Sequence, residues 1–194
     1  MKARDNPFST DRVLRVRYRL HGVTWDDLMD RLAALSYRAA IVGPEGSGKT
    51  TLLEDLEPRL RAQGFDILYL QLDRTTRRFP PGFLDRFCAG LSPRDVILFD
   101  GAEQMSRPAW QRFMRQSRKA GGLVITSHRA GLLPSLLECS TTPQLLDEIV
   151  HELLGTAAAA LGNLPHRLYH KHDGNLRDAL RELYDIYAED TSPD

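Results

Sequence analysis

Residues Gly43 to Thr51 read G-P-E-G-S-G-K-T-T. They follow the apolar run Ala39-Ala40-Ile41-Val42 and precede a segment whose leucines, Leu52, Leu53, Leu56 and Leu60, recur at helical spacing. A buried strand, a glycine-rich turn and a helix in that order form the setting of a phosphate-binding loop. Glycines let the backbone N–H groups turn inward and approach phosphate oxygens closely. Lys49 supplies a mobile positive charge for the β- and γ-phosphates, the Thr50 hydroxyl can ligate Mg²⁺, and the helix that follows presents its positive end to the same anion. Gly43, Pro44, Glu45, Gly46, Ser47, Gly48, Lys49, Thr50 and Thr51 are therefore the expected binding residues for a nucleoside triphosphate.

The rest of the chain alternates strands with helices. Leu14 to Leu20 alternates strictly and reads as a strand with three arginines on one face. Thr24, three residues before Asp27, opens a helix whose apolar stripe is Trp25, Leu28, Met29, Leu32 and Leu35. The helix after the loop runs towards Gln63-Gly64, with a kink expected at Pro58, and Phe65 to Leu72 reads as the next strand. A short helix around Phe83 to Phe87 precedes the apolar strand Val96 to Asp100. Ser106 can cap a helix that ends at Gly121-Gly122, and Leu123 to Ser127 is a further apolar strand with a weaker one in Leu136 to Cys139. Such runs predict a three-layer α/β/α fold around a parallel sheet of about five strands. From Thr142-Pro143 onward the pattern is only helical. The expected organisation is an N-terminal strand and helix packed on the core over 1–36, the core itself over 37–140 and a helical lid over 141–194.

Ligands of such sheets bind beyond the carboxyl ends of the strands, where Lys49, Asp100 and Thr126 all fall. Asp100 closes an apolar strand, and a carboxylate there can hold Mg²⁺ together with Thr50. Glu103 is the candidate for orienting and deprotonating the attacking water. Thr126 and Ser127, at the next strand tip, can hydrogen-bond a γ-phosphate, and Arg129 can add charge near a phosphate of a neighbouring subunit.

Composition narrows the remaining classes. The 26 basic and 26 acidic residues balance to zero, which argues against a protein that coats nucleic acid. The balance is uneven, since Arg107 to Arg129 contains no acid whereas the stretch after Asp173 is acidic. Arg112, Arg115 and Lys119 share a helical face opposite Trp110, Phe113 and Met114, so the pattern puts no aromatic among those charges and nucleic acid is left unsupported. Cys88 and Cys139 lack C-x-x-C spacing and read as reduced core residues. No signal peptide or bilayer-length apolar run is visible, so a cytoplasmic protein without a membrane segment is expected. His166, His170 and His172 lack the further ligands of a metal site, and in His151-Glu152-Leu153-Leu154-Gly155 a glycine stands where a zinc-protease helix has its second histidine.

The succession of a Walker A loop, Val96-Ile97-Leu98-Phe99-Asp100 with a glutamate nearby, a polar-tipped strand and a helical lid resembles the AAA+ and related (ASCE) P-loop ATPases. The lid carries Gly174-Asn175-Leu176-Arg177, similar to the G-N-x-R motif called sensor 2 in that family. The chain also resembles small bacterial ATP-binding proteins that pair I-V-G-P-x-G-S-G-K with G-N-L-R-E-A-L. The family places its glutamate directly after the aspartate, whereas Gly101 and Ala102 intervene here, as in the D-G-x-x-E variant of signalling NTPases. The resemblance implies ATP and Mg²⁺ as cofactors, and the absence of an N-K-x-D guanine-reading motif agrees with adenine. It implies catalytic roles for Lys49, Glu103 and Arg177, the last reading the γ-phosphate from the lid. A conformational change passed to an unidentified protein partner, and a nucleotide-dependent homo-oligomer, are its further implications. Two rival readings stand beside this one. The first is a small-molecule or nucleotide kinase with Arg74, Arg77 and Arg78 lining an acceptor pocket, and the second is a nucleotide-dependent binding module with little hydrolysis.

Overall fold

Five apolar stretches form the strands β1 (Arg38–Val42), β2 (Asp66–Gln71), β3 (Asp95–Asp100), β4 (Gly122–Ser127) and β5 (Ser135–Glu138) in the computed structural model, which describes residues 6–189. They make one sheet in the order β2-β3-β4-β1-β5, with every neighbouring pair parallel. The register aligns Val42 with Ser127 and Phe99 with Ile125, so the carboxyl tips of the central strands lie side by side. β4 is buried along its whole length, as a central parallel strand requires, whereas the edge strand β2 buries only Ile67 and Leu70.

The helices are α1 (Thr10–Val13), α2 (Trp25–Ala34), α3 (Lys49–Ala62), α4 (Phe83–Ala89), α5 (Arg107–Gln116), α6 (Pro143–Leu154), α7 (Leu164–Lys171) and α8 (Leu176–Glu189). The described residues group into two compact units. One contains 18–43 and 49–139, and the other contains the residues up to Arg17, the loop Pro44–Gly48 and those from Ser140 onward.

In the first unit, the two-residue period of the strands sends alternate side chains to opposite faces. Ala39, Ile41, Val96, Leu98 and Val124 pack with Leu28 and Leu32 of α2 and Leu52 and Leu56 of α3. Ala40, Val42, Ile97, Phe99, Leu123 and Ile125 pack with Cys88 of α4 and Phe113 of α5. The result is the expected three-layer α/β/α arrangement. Burying each of these leucines stabilises the fold by roughly 1.5–3 kcal/mol before entropy is subtracted.

Local signals explain most element boundaries. Thr24 and Asp27 form a reciprocal capping box at the start of α2, with the Asp27 N–H donating to Thr24 Oγ1 at 3.1 Å and the Thr24 N–H donating to Asp27 Oδ2 at 3.0 Å. α3 continues through Pro58 to Ala62. Ser106 occupies the cap position of α5, but its side chain makes no cap hydrogen bond. Pro108, in the first turn, has removed one of the N–H groups such a cap would serve.

The expected strand over Leu14–Leu20 does not form. The chain makes α1 and then turns and irregular backbone, leaving Leu14 65% exposed. The Tyr18 N–H, which a strand would give to a neighbour, donates instead to Asp55 Oδ2 at 2.9 Å.

The second unit has its own core of Phe8, Leu146, Val150, Leu168, Leu180 and Leu183. Phe8 meets the Tyr187 ring edge-on at 5.2 Å, and Asn6 Nδ2 donates to the Tyr184 carbonyl at 2.9 Å. Thr142 caps α6, and the alanine-rich stretch Gly155–Leu161 winds as a 3₁₀ helix. Hydrogen bonds join α7 to its neighbours, His166 pairing with Asp147 of α6 while Lys171 Nζ and His172 Nε2 each lie 2.7 Å from the Glu182 carboxylate of α8. Those two partners hold the Glu182 carboxyl below the usual glutamate range. Among the described residues, no helix is long and apolar enough to cross a membrane.

Candidate nucleotide site

Within the sheet unit, three residues that are distant in sequence share one hydrogen-bonded cluster. Thr50 Oγ1 at the head of α3 donates to Asp100 Oδ2 at 3.0 Å, and Thr126 Oγ1 at the tip of β4 donates to Asp100 Oδ1 at 2.5 Å. Thr126 Oγ1 also accepts from the Gly101 N–H at 2.8 Å, and Thr126 is 1% exposed. Asp100 is thereby fixed from both sides of its carboxylate. Gly101 has φ +80°, and a Cβ there would run into the Leu72 carbonyl. Only glycine takes that backbone without strain, so the turn that aims the chain away from Asp100 explains the D-G sequence.

Lys49 is 8% exposed and Nζ donates to the Gly43 carbonyl at 2.8 Å, which folds the ammonium back over the strand end that precedes the loop. Water screens an ammonium in such a place only weakly, which strengthens its attraction for an anionic oxygen. Thr51 follows on α3, half-buried. Glu103 lies in a short 3₁₀ turn after β3, with Oε1 3.5 Å from His128 Nε2. Glu103 Oε2 is buried and has no hydrogen-bond partner among the described residues. Ser127 Oγ donates to the Arg129 carbonyl at 2.7 Å and accepts the Arg129 N–H at 3.2 Å, closing a tight turn at the end of β4.

In the helical unit, the loop residues Pro44–Gly48 carry positive φ at Gly46 (+73°) and Gly48 (+80°). Ser47 is buried and donates to the Pro44 carbonyl at 2.8 Å, while Glu45 is half-buried. A Cβ on Gly46 would collide with the Asn175 side-chain carbonyl. Asn175 Oδ1 in turn accepts the N–H groups of Arg177, at 3.1 Å, and Asp178, at 3.3 Å, and so caps α8. Arg177 stands exposed in the first turn of α8.

The sequence-predicted residues thus fall into a cluster of Thr50, Asp100 and Thr126, a pair of Lys49 and Gly43, and a loop braced by the cap of α8. Two contacts were not foreseen. The pairing of His128 with Glu103 needed the β3 and β4 tips to be known as neighbours, and the place of Asn175 against Gly46 is invisible without the fold. The metal expectation has a local test in the donor set. One hydroxyl and one carboxylate, already within 3.0 Å of each other, suit a hard cation that takes its remaining ligands from water and phosphate. No group of three or more His, Cys, Asp or Glu side chains gathers elsewhere among the described residues.

Comparison with known proteins gives the fold its class. No family model matches the chain, and no curated protein matches it in sequence. Solved structures do. A single-substitution variant of RuvB from Thermotoga maritima superposes with a TM-score of 0.56 at 19% identity, over 88% of this chain and 64% of that one. The RuvB Holliday junction branch migration motor of the same organism gives 0.54 at 20% identity over the same shares. The likeness shows that the chain shares the P-loop α/β/α fold of these structures. The chain spans 64% of the length of these neighbours.

Proposed function

We propose that the chain binds ATP with Mg²⁺ and hydrolyses it, and that the nucleotide state changes the conformation it presents to a protein partner. The observation that carries this reading is the hydrogen bond between Thr50 and Asp100 directly behind a G-x-x-x-x-G-K-T loop. The donors fit Mg²⁺, which when bound neutralises charge on the phosphate oxygens. Thr50 and Asp100 hold it, and Thr126 keeps the Asp100 carboxylate turned towards Thr50. Lys49 exchanges the Gly43 carbonyl for a phosphate oxygen, and the amides of Pro44 to Thr51 that carry hydrogen receive the rest. Glu103 accepts a proton from the attacking water. Ser127 and Arg177 read the γ-phosphate, the first by giving up its bond to the Arg129 carbonyl and the second with its planar guanidinium.

A nucleotide-dependent binding module with slow turnover is the second reading. It is favoured by one observation, the engagement of Glu103 by His128. Calorimetry and phosphate release on the purified chain separate the two. Under the first reading, Lys49→Ala loses ATP binding, while Glu103→Gln keeps it and slows turnover by about 10²–10⁴. Unchanged turnover in Glu103→Gln removes that residue from the mechanism, and absence of binding heat with ATP and Mg²⁺ overturns both readings.

A further inference from the structure

A second concave feature lies at the other end of the strands. Arg38 opens β1, at the opposite end from the residue that leads into the phosphate loop. Its side chain forms part of a groove of about 600 Å³ lined by Arg38, Trp110, Gln111, Met114, Arg115 and Arg118. Among the described residues, no carboxylate lines this groove.

The floor of the groove carries an unmet demand. Arg38 Nη2 donates to the carbonyls of Ser117, at 2.6 Å, and Ala120, at 3.3 Å, which fixes the guanidinium plane. Nη1 is buried and has no hydrogen-bond partner among the described residues. Burial and the nearby Arg118 charge both disfavour the charged form of Arg38. Neither Arg115 nor Arg118 has an ion pair among the described residues. A buried donor without a partner, among like charges, costs free energy that an anionic oxygen would relieve.

The helical spacing of α5 groups Arg112 with Arg115, but the structure separates them. Arg112 Nη2 turns to Asp85, 2.8 Å from both carboxylate oxygens. What remains beside Arg115 is Trp110, whose ring leans on the buried Phe113 with centroids 5.9 Å apart. An aromatic residue therefore does line the groove together with the guanidiniums, contrary to what the linear pattern implies.

We propose that this groove binds single-stranded nucleic acid, with backbone phosphates on Arg38, Arg115 and Arg118 and an unstacked base against Trp110. Three forks without a carboxylate select a polyanion, and an indole beside them selects one that offers free aromatic faces. A duplex hides its base faces, and an acidic peptide has none to offer. The chain's zero net charge restricts such binding to this locality, which agrees with Arg107 to Arg129 being free of acids.

The test uses Trp25→Phe protein, in which Trp110 is the only tryptophan, titrated with an oligothymidylate of about a dozen nucleotides and no ATP. Binding is expected to quench Trp110 emission and to weaken with salt with a log–log slope of about −2, as three phosphate contacts dictate. Trp110→Leu, followed by anisotropy of a labelled oligonucleotide, is expected to bind about tenfold more weakly with the salt slope unchanged, and Trp110→Phe to retain most of the affinity. Arg115→Glu with Arg118→Glu is expected to lose at least about tenfold and to flatten the slope. Lys49→Ala is expected to bind as the parent does, which keeps this outcome separate from that of the nucleotide site. Equal thermal midpoints of the variants show that they are folded. Overturning results are no quenching, equal affinity for a duplex of the same length, equal affinity for a polyglutamate peptide, or affinity untouched by the paired charge reversal.

Discussion

Asp100 owes its orientation to two hydroxyls and a glycine. Because Gly101 sits at φ +80° against the Leu72 carbonyl, Gly101→Ala adds left-handed strain of about 1–2 kcal/mol and a steric clash as well. We expect a loss of at least that much in urea unfolding with the m-value unchanged, and weaker Mg²⁺-dependent nucleotide binding because Asp100 is displaced. Glu103 is held differently, by His128 Nε2 3.5 Å from its Oε1, in a contact whose side chains are 21% and 39% exposed. Pairs of that kind contribute up to about 1 kcal/mol. His128→Ala is accordingly expected to raise steady-state phosphate release by up to about fivefold, through freeing Glu103 for water. A fall in rate would instead make His128 a positioning residue.

Among the elements, those buried on both faces were legible before the structure. β1, β3 and β4 are continuous apolar runs bounded by polar residues, and no other assignment suits them. The Thr24 to Asp27 box likewise announces α2. Its Asp27 carboxyl is held below the usual aspartate range, chiefly by the Thr24 hydroxyl and then by the Thr24 amide. A lowered value means that the stabilisation is complete above the ordinary aspartate pKa, near about 3.9, and is lost as pH falls through the lowered one. Asp27→Asn should therefore remove part of the acid sensitivity seen by circular dichroism while leaving neutral helix content nearly unchanged. The stretch Leu14–Leu20 shows why alternation misleads. Its period is that of a strand, but a strand also needs a partner's carbonyl, and Asp55 takes the Tyr18 N–H first. The same limit applies to the candidate site. Lys49, Thr50 and Asp100 follow from local pattern, whereas the contacts of His128 and Asn175 depend on residues that only tertiary packing brings near.

Taken together, two cores of different make-up support one chain. The sheet unit rests on leucine, valine and isoleucine in continuous contact, so Leu56→Ala there should cost about 2–5 kcal/mol. The helical unit adds polar ties to a smaller core, and Glu182, hydrogen-bonded by Lys171 and His172, contributes above the glutamate range and not below its lowered pKa. Glu182→Gln should make protease susceptibility of the helices less dependent on acid. If ATP binds the folded chain alone, a hundredfold excess over its dissociation constant adds about 2.7 kcal/mol, and the melting temperature should rise by roughly 5–10 °C. Lys49→Ala should abolish that rise. Asn175 adds a mechanical consequence. The residue that starts α8 is wedged against Gly46, so any change in the backbone path of the glycine turn displaces the root of a rod of 14 residues, about 21 Å long. A tilt of about 10° at that pivot carries the far end, where Tyr187 packs on Phe8, through about 4 Å, a displacement large enough to open or close a contact.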